Sequence, residues 1–293
     1  MHLRGVEWQM PNRAAAVEFL KGPWGLIDVG TRGDTTYLRA TAARHYAIAV
    51  IQGPARAMVS ATFIGTRDEV EGVRQRTRKA GLKQSPWMNF DEPGRGEGFY
   101  VAGPEGEPFR FVVERDAAPA ALTADSARPV QVAHVVFNTR DRETATRVLT
   151  DTLGFKLSDR TRVMNFLRCD DLHHVVAYAD SKQAKLNHIA FEMKDTDAVM
   201  RGMGRLKDAG YPSVWGPGRH GPGNNTFSYF VAPFGACIES PAEVQRVDDS
   251  YKTGTPESWQ WPPGRTDHWG IASRDNEKLA ASGDTFPYRP LAA

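Results

Sequence analysis

The run Val130-Gln131-Val132-Ala133-His134-Val135-Val136-Phe137 opens a unit that recurs along the chain and decides its fold. Its apolar and β-branched residues read as a strand. A helical stretch follows over residues 143–153, closed by Gly154, and then come the strand-like runs 164–168 and 174–178. Glycine at a helix stop supplies a left-handed residue without a Cβ penalty. The same order begins again at Leu186, with a helix over 196–209 closed by Gly210 and strands around Tyr229 and Glu239. It also precedes the quoted run twice. Residues 56–64, a helix over 67–80 closed by Gly81, and strands 99–102 and 109–113 form one copy; residues 3–10, a helix over 12–20 with Asn12 as N-cap, and strands 36–39 and 46–51 form the other. Four strand, helix, strand, strand units therefore stand in pairs about the small-residue segment 117–125, which reads as a linker.

Length and composition agree with two domains, since 293 residues exceed one ordinary core. Charged residues make up 25% of the chain and the formal net charge is +2, which provides no basic field for nucleic acid. No run of 18 or more apolar residues exists, and residues 1–8 lack the apolar centre of a secretion signal, so neither a membrane nor export is expected and the location is expected to be cytoplasmic. Cys169 and Cys237 are the only cysteines. They are too few for a disulfide framework and have no zinc-motif spacing, so both read as reduced thiols, Cys237 as strand packing.

Three polar residues interrupt these apolar strands: His134, His188 within Leu186-Asn187-His188-Ile189-Ala190-Phe191-Glu192, and Glu239 at the end of Ala236-Cys237-Ile238. A lone histidine in a strand is usually a hydrogen-bonded core residue. Three such groups buried without partners would together cost several kcal/mol, about 1–3 each. One metal ion would satisfy all three. Two imidazoles and one carboxylate bind a divalent first-row metal by one face and leave the other open, the ligand type of non-heme Fe(II) oxygenases. The substrate is expected to be small.

Four such units paired two by two resemble the vicinal oxygen chelate superfamily. Gly218, His220, Tyr229, Ala232, Pro233, Gly235 and Glu239 resemble the signature around the last ligand in its type I extradiol ring-cleavage dioxygenases, which are catechol 2,3-dioxygenase-like. Ser228 departs from the pattern, standing where an apolar residue usually precedes the Tyr, and altered packing is expected there. The resemblance implies an α+β fold of four βαβββ modules paired into two domains, each a curved mixed sheet with flanking helices. Residues 1–116 would be a domain without metal ligands, 117–129 the linker, 130–245 the catalytic metal-binding domain, and 246–293 a Trp- and Pro-rich tail packing on the domain or an interface. Laying the first pair on the second puts Gly5, Ser60 and Arg110 where His134, His188 and Glu239 stand; none can replace its counterpart as a ligand, which argues against a glyoxalase-like architecture that draws ligands from two modules.

The resemblance also implies a chemistry. His134, His188 and Glu239 would hold Fe(II), with Mn(II) as substitute, and no organic cofactor is needed. A catechol-type aromatic diol and O2 would be the substrates, cleaved extradiol (meta), in bacterial aromatic degradation. His174, in Asp170-Asp171-Leu172-His173-His174-Val175, would be the acid-base group, a task that suits a side chain titrating near neutrality. His173 is expected to point to the opposite face, by strand alternation, as a turn residue at a strand start. His220, among Gly218, Gly221 and Gly223, would bond the substrate from a flexible lid, and Tyr229 would assist it. A homo-oligomer is expected. Monocyclic catechols, bicyclic diols and trihydroxylated rings all fit. Two rival readings stay open: another metal-dependent enzyme of the superfamily, a 2-oxo acid dioxygenase or a lyase, and a non-catalytic binding protein of the same fold.

Overall fold

The computed structural model describes residues 1–122, 127–283 and 285–291. Residues 123–126 of the expected linker lie outside the described residues. Two mixed, curved sheets form the body. Among the described residues the first has the strand order Ile27–Arg32, Thr35–Arg39, Ile48–Gln52, His2–Met10, Ala57–Ile64, Pro108–Glu114, Gly96–Ala102, Met88–Phe90. The second repeats it as Lys156–Arg160, Met164–Arg168, Val176–Asp180, Gln131–Thr139, Lys185–Glu192, Cys237–Glu239, Thr226–Val231, Trp215–Arg219, with Ser273–Arg274 of the tail added at its edge. In each sheet the opening strands of the two units, buried along almost their whole length, lie side by side at the centre.

The reading of three strands per unit misses a fourth. Ile27–Arg32, Met88–Phe90, Lys156–Arg160 and Trp215–Arg219 complete the units as βαβββ. All four lie at or near an edge, where a strand faces solvent and needs no apolar alternation; Ile27–Arg32 is exposed from Asp28 onward. The helices Arg13–Lys21, Arg67–Lys79 and Thr196–Asp208 fall where expected. The third unit's helix is Arg142–Arg147, continuing through a wide π-helical turn, Val148–Leu153, into Gly154 at φ 85°. Aromatic side chains join the halves: Trp8 packs on Phe234 and Phe286, Trp24 on Phe191 and Phe230, and Phe63 on Phe155. The tail returns over both halves, bridging Asp159 with Gly254, Lys185 with Pro287, and Met58 with Tyr288. No described helix is long and apolar enough to cross a membrane.

The registers bear out the internal equivalence. Gly5 faces Thr62 as His134 faces Ala190, Ser60 faces Glu7 as His188 faces Val136, and Arg110 faces Thr62 as Glu239 faces Ala190. A Cβ on Gly5 would lie 2.1 Å from the Ala47 carbonyl oxygen, so no side chain fits there. The Arg110 guanidinium fills the corresponding space instead, pairing with Glu7 at 3.0 Å and Glu92 at 2.9 Å.

Candidate metal centre

Strands Gln131–Thr139, Lys185–Glu192 and Cys237–Glu239 are neighbours, and their register puts three polar side chains on one face. Ala190 lies opposite both His134 and Glu239, with His188 two residues before it on the same face. Its methyl group leaves the space between them open. Ligand atoms of His134, His188 and Glu239 lie within 4.8 Å of one another, and all three residues are buried. His134 Nε2 is 2.9 Å and His188 Nε2 3.2 Å from Glu239 Oε2.

The donor set fits a metal ion. His188 Nδ1–H donates to Asn187 Oδ1 at 2.7 Å, and Asn187 Nδ2 donates in turn to Asn138. This fixes the imidazole tautomer so that the Nε2 lone pair points at the carboxylate. Two atoms bearing lone pairs then face each other, and His188 Nε2 and Glu239 Oε1 are buried without a well-directed hydrogen bond although both lie within ion-pair distance of neighbours. A cation among them removes the conflict. Burial alone would raise the Glu239 carboxyl, but the facing His134 outweighs it and holds it well below the usual carboxylate range. Burial lowers His188, which keeps it a neutral ligand.

Three further side chains stand around the centre. Tyr229 lies opposite Glu239 in the ladder, and its phenol is pushed well up by burial and then by Glu239, so it stays a hydrogen-bond donor. His220 follows Trp215–Arg219 directly, stacks on Phe227 at 3.8 Å, and places Nε2 3.0 Å from Tyr229 Oη. The flexible lid expected at 218–223 is corrected here. Gly218 is a strand residue paired with Phe227, and Trp261 packs so closely on Gly221 that a Cβ there would be 2.6 Å from its ring. The roof comes from the tail. His174 packs on His134 with ring centroids 4.4 Å apart, and burial, then the His134 and His173 rings, push it well below the ordinary imidazole range.

His173 corrects a second expectation. It does lie in the bend before the strand, as expected, but it does not point to the opposite face: it is fully buried, with Nε2 2.8 Å from Asp159 and Nδ1 3.0 Å from His174 Nδ1. Alternation fails because residues 171–175 bend before the strand Val176–Asp180 begins, which lets both rings turn inward. Ser228 is buried, with its hydroxyl unpartnered among the described residues. Burial, with Glu239 adding, pushes the Cys237 thiol up to about 12, which fits strand packing and not ligation.

A cavity of about 1140 Å³ opens from the centre, walled by Phe166 and Trp215 and roofed by Trp259 and Trp261 of the tail. Sequence reasoning missed Asn187, Trp215 and Asp159 as parts of the site. The Trp density of the tail was the one available signal for its roof.

The pattern of the Glyoxalase/Bleomycin resistance protein/Dioxygenase superfamily matches residues 131–240. The crystal structure of the Mn(II)-bound glyoxalase from Novosphingobium aromaticivorans is similar over 95% of this chain and 93% of that one, at 32% identity and a TM-score of 0.87. Overall architecture therefore does not separate this chain from a protein called a glyoxalase. Metapyrocatechase 2 of Cupriavidus necator is 30% identical over 189 residues, 64% of this chain; the chain spans 52% of that relative's length. The manganese-dependent 2,3-dihydroxybiphenyl 1,2-dioxygenase of Geobacillus genomosp. 3 is 25% identical over 248 residues, 76% of this chain and 78% of that protein. With a match at 32% identity to a relative over nearly its full length and the family pattern over residues 131–240, the chain belongs to the glyoxalase, bleomycin resistance protein and dioxygenase superfamily, the vicinal oxygen chelate proteins.

Proposed function

We propose that this protein cleaves the ring of a catechol-type diol extradiol, with O2, at a single Fe(II) held by His134, His188 and Glu239, Mn(II) being the substitute. One observation carries the reading: a buried two-histidine, one-carboxylate cluster opens into an aromatic-walled cavity and is ringed by His174, His220 and Tyr229. When bound, the metal would supply the electronic link between an electron-rich ring and triplet O2. The chain does the rest. Trp215, stacked on Tyr229 at 4.7 Å, and Phe166 hold the ring and exclude water. Tyr229 and His220 bond the diol oxygens, and His174 takes and returns a proton on the face beside His134. Both oxygen atoms of O2 end in the ring-opened product, so no external reductant is required.

The names of the metapyrocatechase and dihydroxybiphenyl dioxygenase relatives support a role in aromatic breakdown. A cytoplasmic homo-oligomer belongs to the same reading, and the exposed Trp269 and Ile271 of the tail suit an interface between copies. The name of the Mn(II)-bound relative favours a second reading, a metal-dependent lyase or isomerase on the same centre. One experiment separates them. Protein reconstituted anaerobically with Fe(II) or Mn(II) is given a panel of monocyclic, bicyclic and trihydroxylated aromatic diols, following O2 uptake and the yellow ring-opened product. Turnover without O2 uptake, or no product from any diol, overturns the proposal.

A further inference from the structure

We infer that Asp159 and His173 are positioning residues that set the tautomer of His174, and that the tail completes them. The inference rests on the acid-base reading of His174. Asp159 and His173 are both fully buried, and neither belongs to the His134, His188 and Glu239 cluster. Asp159 accepts from three donors: His173 Nε2–H at 2.8 Å, Gly254 N–H at 2.7 Å and the Tyr251 hydroxyl at 3.2 Å. A group that meets only donors is set as a carboxylate.

The consequence for the histidines follows from proton counting. His173 donates its Nε2–H to Asp159 in a hydrogen bond and keeps that proton, so a neutral His173 has a bare Nδ1. That lone pair lies 3.0 Å from His174 Nδ1. Two bare nitrogens would repel at this distance, so His174 carries its proton on Nδ1 and donates. Its Nε2 lone pair is then left for the cavity that His174 lines. A wrong tautomer at an otherwise intact histidine disables a proton-transfer site, as with aspartate-to-asparagine changes behind other catalytic histidines. The tail enters through Gly254. A Cβ there would lie 2.6 Å from Asp159 Oδ1, so only glycine lets this backbone reach the carboxylate.

The test uses full-length Asp159→Asn, with Gly254→Ala as a second variant that leaves the buried pair in place. Protein labelled with 15N-histidine and free of metal is compared by NMR, His174 being identified by its loss in His174→Gln. We expect a bare Nε2 and a protonated Nδ1 on His174 in the natural protein, and a reversed or averaged pattern in Asp159→Asn. For the Fe(II)-loaded enzyme on its best diol, kcat should fall about 10- to 100-fold with KM and iron content unchanged, and less in Gly254→Ala. A protonated Nε2 in the natural protein, or an unaltered His174 pattern in Asp159→Asn, overturns the inference even where kcat falls. Should the natural protein turn over no diol, the proposed function fails while the NMR comparison still decides the tautomer.

Discussion

Replacing Glu92 by Gln would leave two buried guanidinium groups short of a carboxylate. Glu92 pairs with Arg4 at 2.9 Å and Arg110 at 2.9 Å and accepts the Tyr46 hydroxyl at 2.6 Å, while only 2% exposed. Burial alone would raise its carboxyl, but Arg110 and Arg4 outweigh that and lower it from 4.5 to about 2. A folded pKa held below the unfolded one stabilises the protein above about pH 4.5, and the stabilisation is lost as pH falls toward about 2. The shift is equivalent to about 3 kcal/mol at neutral pH, with more than half of it gone near pH 3. Breaking such a buried cluster costs a similar amount, about 3–5 kcal/mol. In thermal melts followed by circular dichroism, Glu92→Gln should melt about 6–12 °C below the natural protein at neutral pH, and the gap should shrink to less than half near pH 3. Because Arg110 takes the place of Glu239 in the half that lacks the cluster, iron content and kcat should not change. A gap below about 1 °C at neutral pH, or one of equal size near pH 3, would refute the ion-pair account; a loss of bound iron would refute the separation of the two halves.

Three further outcomes follow from the centre. Alanine at His134, His188 or Glu239 should abolish activity and lower bound metal, and full iron content in all three variants, measured by elemental analysis, would sink the ligand assignment. His174→Gln should lower kcat by about two to four powers of ten with near-normal metal, and an unchanged kcat would remove His174 from the chemistry. Tyr229→Phe should keep its iron yet lose about 1–3 kcal/mol of substrate or transition-state binding, seen as a lower kcat/KM for the diol; an unaltered value would show that the hydroxyl does not touch substrate.

The repeating units and the residues of the centre could be read in the sequence because both leave a periodic signature. A strand buried at the middle of a sheet must be apolar almost throughout, so His134, His188 and Glu239 stood out as intrusions, and the repeat predicted their counterparts Gly5, Ser60 and Arg110 to the residue. Edge strands carry no such demand, which is why Ile27–Arg32 and Trp215–Arg219 passed as loops. Only the tertiary structure could show that His173 faces inward. Its direction depends on a bend before Val176–Asp180 and on a carboxylate from another strand, neither of which alternation encodes. The same holds for the tail: its tryptophans were visible, but their place over the cavity, and the contact of Gly254 with Asp159, arise from long-range packing between segments far apart in the chain. Local sequence fixes which residues a strand must bury, whereas contacts between distant segments are set by how the whole chain packs.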